Sequence, residues 1–373
     1  MQIYKYNKPL ILESGERIEA LEIAYHTYGT LNSNHDNIIW VCHALTANSD
    51  VADWWQNTVV PGGMLDPERY FVVCANVLGS CYGTTGPLSI NPTTGKPYYA
   101  SFPQITVRDI VACNRLLAQH LGISRVKMLV GSSLGGFQCM EWAIIDPDFT
   151  ENLMLIATAA TTTPWAAAFN ESQRMAIEAD QTYGTESDDA GSQGMGVARS
   201  IALLSYRGAD AYNMTQQNNG KETTPFHHRV QSYQHHQGDK LRQRFNAYSY
   251  YRLSQVVDSH NVGRKRGSID EALRSIKART QVVAISSDIL FPPADHQVFI
   301  DNIPDVRYTL INSEFGHDGF LVEHEYLTRI VKEFLNDSVN VIGKNTKDTN
   351  FWEQRLHHFQ QIKAKLEEAG AKV

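Results

Sequence analysis

The segment Val126-Lys127-Met128-Leu129-Val130-Gly131-Ser132-Ser133-Leu134-Gly135-Gly136 restricts the fold more than any other stretch of the chain. It opens as an apolar run of the kind buried on both faces of a parallel sheet. It ends in Gly-x-Ser-x-Gly, and a helical pattern continues from Phe137 to Ile145. Strand, sharp turn and helix in that order present a serine as a nucleophile. Glycine is needed on both sides, because side chains at Gly131 or Gly135 would collide with neighbouring segments. The free N–H groups at the start of the helix would face whatever Ser133 holds. A pattern of five residues is loose, and a glycine-rich turn without chemistry would look the same.

The rest of the chain decides between these. Ile38 to Cys42 and Tyr70 to Val77 read as further strands, and Leu21 to Gly29 as a strand at the sheet edge. Helical spacing from Ile105 to His120 predicts a crossover helix feeding the Ser133 strand, and Leu153 to Ala157 is the next strand. This alternation implies a mostly parallel sheet with helices on both faces. At about Thr161 it stops. Up to Ile276 only helical patterns follow, so residues 161–276 are expected to form a helical lid insertion over the C-terminal edge of the sheet. Strands resume at Gln281 to Ile285 and Val306 to Ile311, then a helix from Gly319 to Leu335. The core domain is therefore 1–160 with 277–337. Residues 338–373 read as a polar linker and a C-terminal amphipathic helix with Trp352, Leu356, Phe359, Ile362 and Leu366 on one stripe.

A serine hydroxyl needs a base, and the base needs an orienting carboxylate. In a parallel sheet these belong on loops after later strands. Asp288 follows Gln281–Ile285, and His317 follows Val306–Ile311. The order Ser133, Asp288, His317 is that of an α/β-hydrolase fold with a catalytic triad. Asp295 is the rival acid, set back inside a pattern after Pro292-Pro293. The oxyanion hole calls for two backbone N–H groups, expected from Leu134 and from Leu45 in the loop His43-Ala44-Leu45-Thr46.

Other features exclude partners. A net charge of -7 without a basic run argues against nucleic acid. No apolar run approaches the roughly 20 residues that span a bilayer. The N-terminal twenty residues lack the form of a signal peptide. Five cysteines without Cys-x-x-Cys read as free thiols in a reducing compartment, and a cytoplasmic location is expected. The pairs His227-His228 and His235-His236 lack acidic or thiol partners at ligand spacing, so no metal is expected. Gly79 to Gly86 lacks the Lys-Ser/Thr of a phosphate loop.

Several segments resemble the homoserine O-acetyltransferase family, over about Leu21 to Leu335. They are His43-Ala44-Leu45-Thr46, Asn76-Val77-Leu78-Gly79, Gly83-Thr84-Thr85-Gly86-Pro87, Ser89-Ile90-Asn91-Pro92, the Ser133 turn, Arg199 with Tyr206 seven residues on, and Phe315-Gly316-His317-Asp318. The resemblance implies a ping-pong acyl transfer from acetyl-CoA to L-homoserine in methionine biosynthesis, with no permanently bound cofactor. It implies Arg199 for the substrate carboxylate, Asp318 for its amino group and Tyr206 nearby. It also implies a homodimer formed through the lid. The chain departs from the family pattern at Ala47, Ser132, Leu134 and Gln231-Ser232-Tyr233-Gln234. Homoserine O-succinyltransferase, serine O-acetyltransferase and a plain esterase or thioesterase of the same fold stand as alternatives.

Overall fold

The computed structural model describes residues 1–218, 220 and 224–336. The C-terminal helix expected within 338–373 lies outside the described residues.

The centre is a sheet of eight strands: β1 (Gln2–Tyr6), β2 (Leu21–Tyr28), β3 (Ile38–Cys42), β4 (Phe71–Ala75), β5 (Val126–Ser132), β6 (Thr150–Ile156), β7 (Arg279–Ile285) and β8 (Val306–Ile311). Their spatial order is β1-β2-β4-β3-β5-β6-β7-β8. From β4 to β8 all neighbours pair parallel, and β2 runs antiparallel to both β1 and β4. The expected edge strand is thus second from the edge. Gln2–Tyr6 covers it, with Gln2 opposite Tyr25 and Tyr6 opposite Leu21. β1 carries only a weak apolar pattern in the sequence, because an edge strand buries little.

The central strands are apolar on both faces, as continuous runs such as Ile38–Cys42 require. Trp40, Leu129, Leu153 and Leu155 join one buried cluster, which contains Ile110, Leu117, Phe137 and Trp142 from the helices Val107–His120 and Leu134–Ile145. Ile39, Val41, Met128, Val130, Met154 and Ile156 join the other, with Trp55, Phe320, Leu327 and Val331. Helices therefore cover both faces.

Some boundaries differ from expectation for local reasons. The crossover helix begins at Val107 because Thr106 ends the preceding segment, its N–H donating to Asp109 Oδ2 at 2.7 Å. The helix after Ser133 starts at Leu134, three residues early, with Gly135 and Gly136 in its first turn. The final helix is broken at Glu323 into Gly319–Val322 and His324–Asn336.

Between β6 and β7 the structure is helical, chiefly Pro164–Glu178, Ser192–Tyr206, Arg229–Arg242 and Ala247–Asp258. Among the described residues of this stretch the only β contact is an isolated bridge, Thr161 to Asn261. No helix among the described residues is long and apolar enough to cross a membrane. The five cysteines are unpaired, and all but Cys81 are buried.

Candidate active site

Ser133 sits between β5 and its helix at φ 55°, ψ -125°. A non-glycine residue there costs about 1–3 kcal/mol, which the surroundings must impose. They do so by close packing. A Cβ on Gly131 would lie 2.3 Å from the Gly135 carbonyl oxygen, and one on Gly135 would lie 2.0 Å from that of Cys42. A Cβ on Gly136 would meet the Thr158 side chain at 2.5 Å. Ser133 N–H donates to the Ile156 carbonyl at 3.0 Å, and the Thr158 hydroxyl donates to the Ser133 carbonyl at 2.9 Å. The turn is thus clamped between β3, β6 and its own helix.

Gly135→Ala should therefore cost about 3 kcal/mol or more, as an overpacked core does. We expect the thermal midpoint to fall by several degrees, together with most of any activity. A midpoint and turnover equal to wild type would show that the joint against Cys42 can open.

The strand ends are level. Ala157 N–H donates to the Val283 carbonyl at 2.9 Å, and Ser286 N–H to the Ile311 carbonyl at 2.8 Å. Loops leaving β5, β7 and β8 therefore meet at one edge. There Asp288 Oδ2 accepts from His317 Nδ1 at 2.7 Å, both side chains buried. Asp288 Oδ1 accepts from the N–H groups of Leu290 (2.8 Å) and Phe291 (3.0 Å). The carboxylate is held at both oxygens and fixes the imidazole tautomer, with the proton on Nδ1 and Nε2 as the basic nitrogen. The carboxylate on His317 Nδ1 is Asp288, not Asp295. Burial disfavours a charged His317, but the charge and hydrogen bond of Asp288, then the charge of Asp318, more than offset it and raise its pKa above the ordinary histidine value. The rings of Tyr206, Phe291 and Phe320 surround it, with centroids 5.8, 5.4 and 5.4 Å away.

The loop after β3 lies against the start of the Ser133 helix, as the Gly135–Cys42 contact shows. It carries Leu45 in a turn closed by Ala47 N–H to the Ala44 carbonyl, 3.1 Å. Leu134 follows Ser133 directly and is buried. His43 locks the loop, a role not visible in the sequence. Its Nε2 accepts from Val77 N–H at 3.0 Å, which leaves Nδ1 to donate to the Ala44 carbonyl at 2.8 Å. Full burial pushes its pKa down to about 4, the Ala44 bond opposing, so it is neutral at pH 7. Arg244, from the helical stretch, donates to the Thr46 carbonyl at 2.6 Å. The Asn76–Gly86 loop folds back on the same region: Asn76 Oδ1 accepts from Ser49 N–H at 2.7 Å, and Thr84 Oγ1 donates to the Asn76 carbonyl at 2.8 Å.

Arg199 and Tyr206 lie on one helix, the guanidinium 5.6 Å from the ring centroid. Asp318 is next to His317 and mostly buried, and Arg207 Nε donates to its Oδ2 at 3.2 Å. Burial raises the Asp318 pKa, while the positive charges of Arg199, Arg207 and His317 pull it back. The structure thus brings Tyr206, His317 and Asp318 together and adds Arg207, for which the sequence held no signal. His227, His228, His235 and His236 are exposed. His228 caps the helix Arg229–Arg242.

His317, backed by the Asp288 carboxylate, can take up or give a proton at Nε2, beside side chains of both charges. Comparisons with known proteins fit it. The family profile described as "alpha/beta hydrolase fold" matches residues 37–324. The chain is 42% identical over 333 residues to the homoserine O-acetyltransferase of Cyclobacterium marinum, covering 89% of this chain and 94% of that one. The crystal structure of homoserine O-acetyltransferase from Bacillus anthracis superposes with a TM-score of 0.85 at 24% identity, over 91% of this chain and 98% of that one. Esterase E22 superposes with a TM-score of 0.81, also at 24% identity, over 90% and 99%. At that identity the two structures establish the shared fold.

Proposed function

Because the chain belongs to the homoserine O-acetyltransferase family, an enzyme family of the α/β-hydrolase fold, we propose that it transfers the acetyl group of acetyl-CoA to the hydroxyl of L-homoserine. The observation that carries this reading is the setting of His317. One ring nitrogen is bonded to Asp288, and the neighbouring residue is a carboxylate paired with an arginine. A proton relay is thereby joined to groups that suit the charged end of an amino acid.

The route is ping-pong. His317 Nε2 takes the proton of Ser133 as the oxygen attacks the thioester carbonyl. The N–H groups of Leu45 and Leu134 hold the oxyanion, which is worth several kcal/mol when the donors are fixed beforehand. The carbon–sulfur bond breaks and His317 returns the proton to the CoA thiolate. L-homoserine enters with its carboxylate on Arg199, matched by the planar guanidinium, its ammonium on Asp318 and Tyr206 alongside. His317 takes the hydroxyl proton, the oxygen attacks the acyl-serine, and Ser133 recovers its proton as the ester leaves.

The helices of 161–276 act as a lid that keeps water from the acyl-enzyme and provides a homodimer contact. The product serves methionine biosynthesis in the cytoplasm. No cofactor is held permanently.

The test is CoA release from acetyl-CoA with and without L-homoserine. Release that depends on homoserine, with O-acetylhomoserine found by mass, is the expected result. Equal release in both would sink the transferase reading and make the protein a thioesterase. Arg199→Ala should raise the KM for homoserine roughly 10- to 100-fold, while acetyl-serine formation keeps most of its rate. Equal damage to both half-reactions would remove Arg199 from this role.

A further inference from the structure

Three consecutive residues at the end of the Ser192–Tyr206 helix meet the loop that carries His317. The Tyr206 ring lies tilted beside that of His317, 5.8 Å between centroids. Arg207 donates to Asp318 Oδ2 at 3.2 Å. Gly208 presses on the loop backbone, where a Cβ would come 2.1 Å from the Glu314 carbonyl oxygen. A Cβ on Gly316 would in turn come 2.5 Å from the Gly208 nitrogen. Backbone rests on backbone, so the Arg207 side chain leaves from a point that cannot drift relative to His317. Its guanidinium is backed by the Tyr233 ring, 5.3 Å to the centroid, an attractive arrangement for a cation.

Arg207, paired with Asp318, takes no step of its own in the acyl-transfer route above. We infer that Arg207 is a positioning residue for the acceptor: by holding Asp318 Oδ2 it fixes the plane and charge of the carboxylate that receives the ammonium of a 2-amino acid. The identity of that acceptor rests on the acyl-transfer reading. The physical need is plain. Asp318 is 17% exposed in its side chain, and burial favours the neutral acid. A neutral acid attracts an ammonium weakly. Arg199, Arg207 and His317 oppose that protonation, and the phenols of Tyr206, Tyr212 and Tyr233 lie within electrostatic range of the same carboxylate. Of the two arginines, Arg207 is the one bonded to it. Arg199, lying over Tyr206, is then left to the substrate carboxylate.

The experiment uses the full chain labelled with ¹³C at aspartate side-chain carboxyls, with the Asp318 signal assigned by Asp318→Asn. In Arg207→Gln the Asp318 titration should move to higher pH, and Arg207→Lys should bring it part of the way back. The homoserine KM should rise roughly 10- to 100-fold in the Gln variant, more below pH 7 than above it. The burst of CoA release should fall much less. Arg207→Lys keeps the test alive if the Gln variant does not fold, because a shorter, single-point donor should still weaken homoserine binding. An unmoved Asp318 titration, or equal loss in both half-reactions, overturns the inference. A moved titration in a protein whose CoA release ignores homoserine supports the hold on Asp318 and overturns the choice of acceptor instead.

Discussion

Ser133→Ala should lose at least about 10⁴-fold in turnover and keep its thermal midpoint. Alanine retains the Cβ, so the strain at φ 55°, the clamp on Gly131 and Gly135 and the bond from Ser133 N–H to the Ile156 carbonyl all persist. Only the hydroxyl is removed. In the proposed route this would leave the oxyanion hole and the base with no nucleophile to activate, which in serine enzymes leaves a small residue of catalysis over water. Intact-mass measurement after mixing with acetyl-CoA should show an acetyl adduct on wild type and none on the variant. A variant that kept most of its turnover, or still took the adduct, would mean that another residue attacks the thioester.

Asp288→Asn should cost a similar amount, about 10⁴-fold, the loss known for the equivalent change in the serine-protease triad. The loop around Asp288 makes the reason specific. The N–H groups of Leu290 and Phe291 both point at Oδ1 and select the amide oxygen for that place. The amide nitrogen must then face His317 Nδ1 and donate to it. That forces the imidazole proton onto Nε2, the atom that should accept the proton of Ser133. The pH profile carries a second sign. The proposed route needs neutral His317, so the wild-type rate should fall as pH drops through a His317 pKa raised above the usual value. Removing the Asp288 charge while burial stays lowers that pKa, so the acid limb should shift to lower pH. A loss under about tenfold with an unmoved acid limb would point to another acid, with Asp295 as the first to test.

The legible part of this protein was local or ordered along the chain. Continuous apolar runs predict β3 and β5, because strands buried on both faces admit little else. Gly131 and Gly135 marked the turn, because no side chain fits where the Cys42 carbonyl and the Gly135 backbone lie. Asp288 and His317 could be placed by rule, since each follows a strand whose end must reach the same edge. Edge strands were harder. Gln2–Tyr6 has little apolar patterning, as an edge strand needs little, so from sequence Leu21–Tyr28 reads as the edge. The helix after Ser133 begins three residues before its helical pattern does, since its first turn is glycine-rich and carries no helical signal.

The sequence by itself determined the parallel part of the sheet, the turn at Ser133 and the order of the candidate triad. Each follows from backbone sterics or from the burial of adjacent residues, and both act within a few positions. Only the tertiary structure decided that His43 is held neutral between Val77 and Ala44. It alone put Tyr206 against His317 and Arg207 on Asp318. The last of these joins positions 111 residues apart. A contact of that kind comes from how the helix ending at Tyr206 rests on the β8 loop, and neither segment carries a local trace of the other.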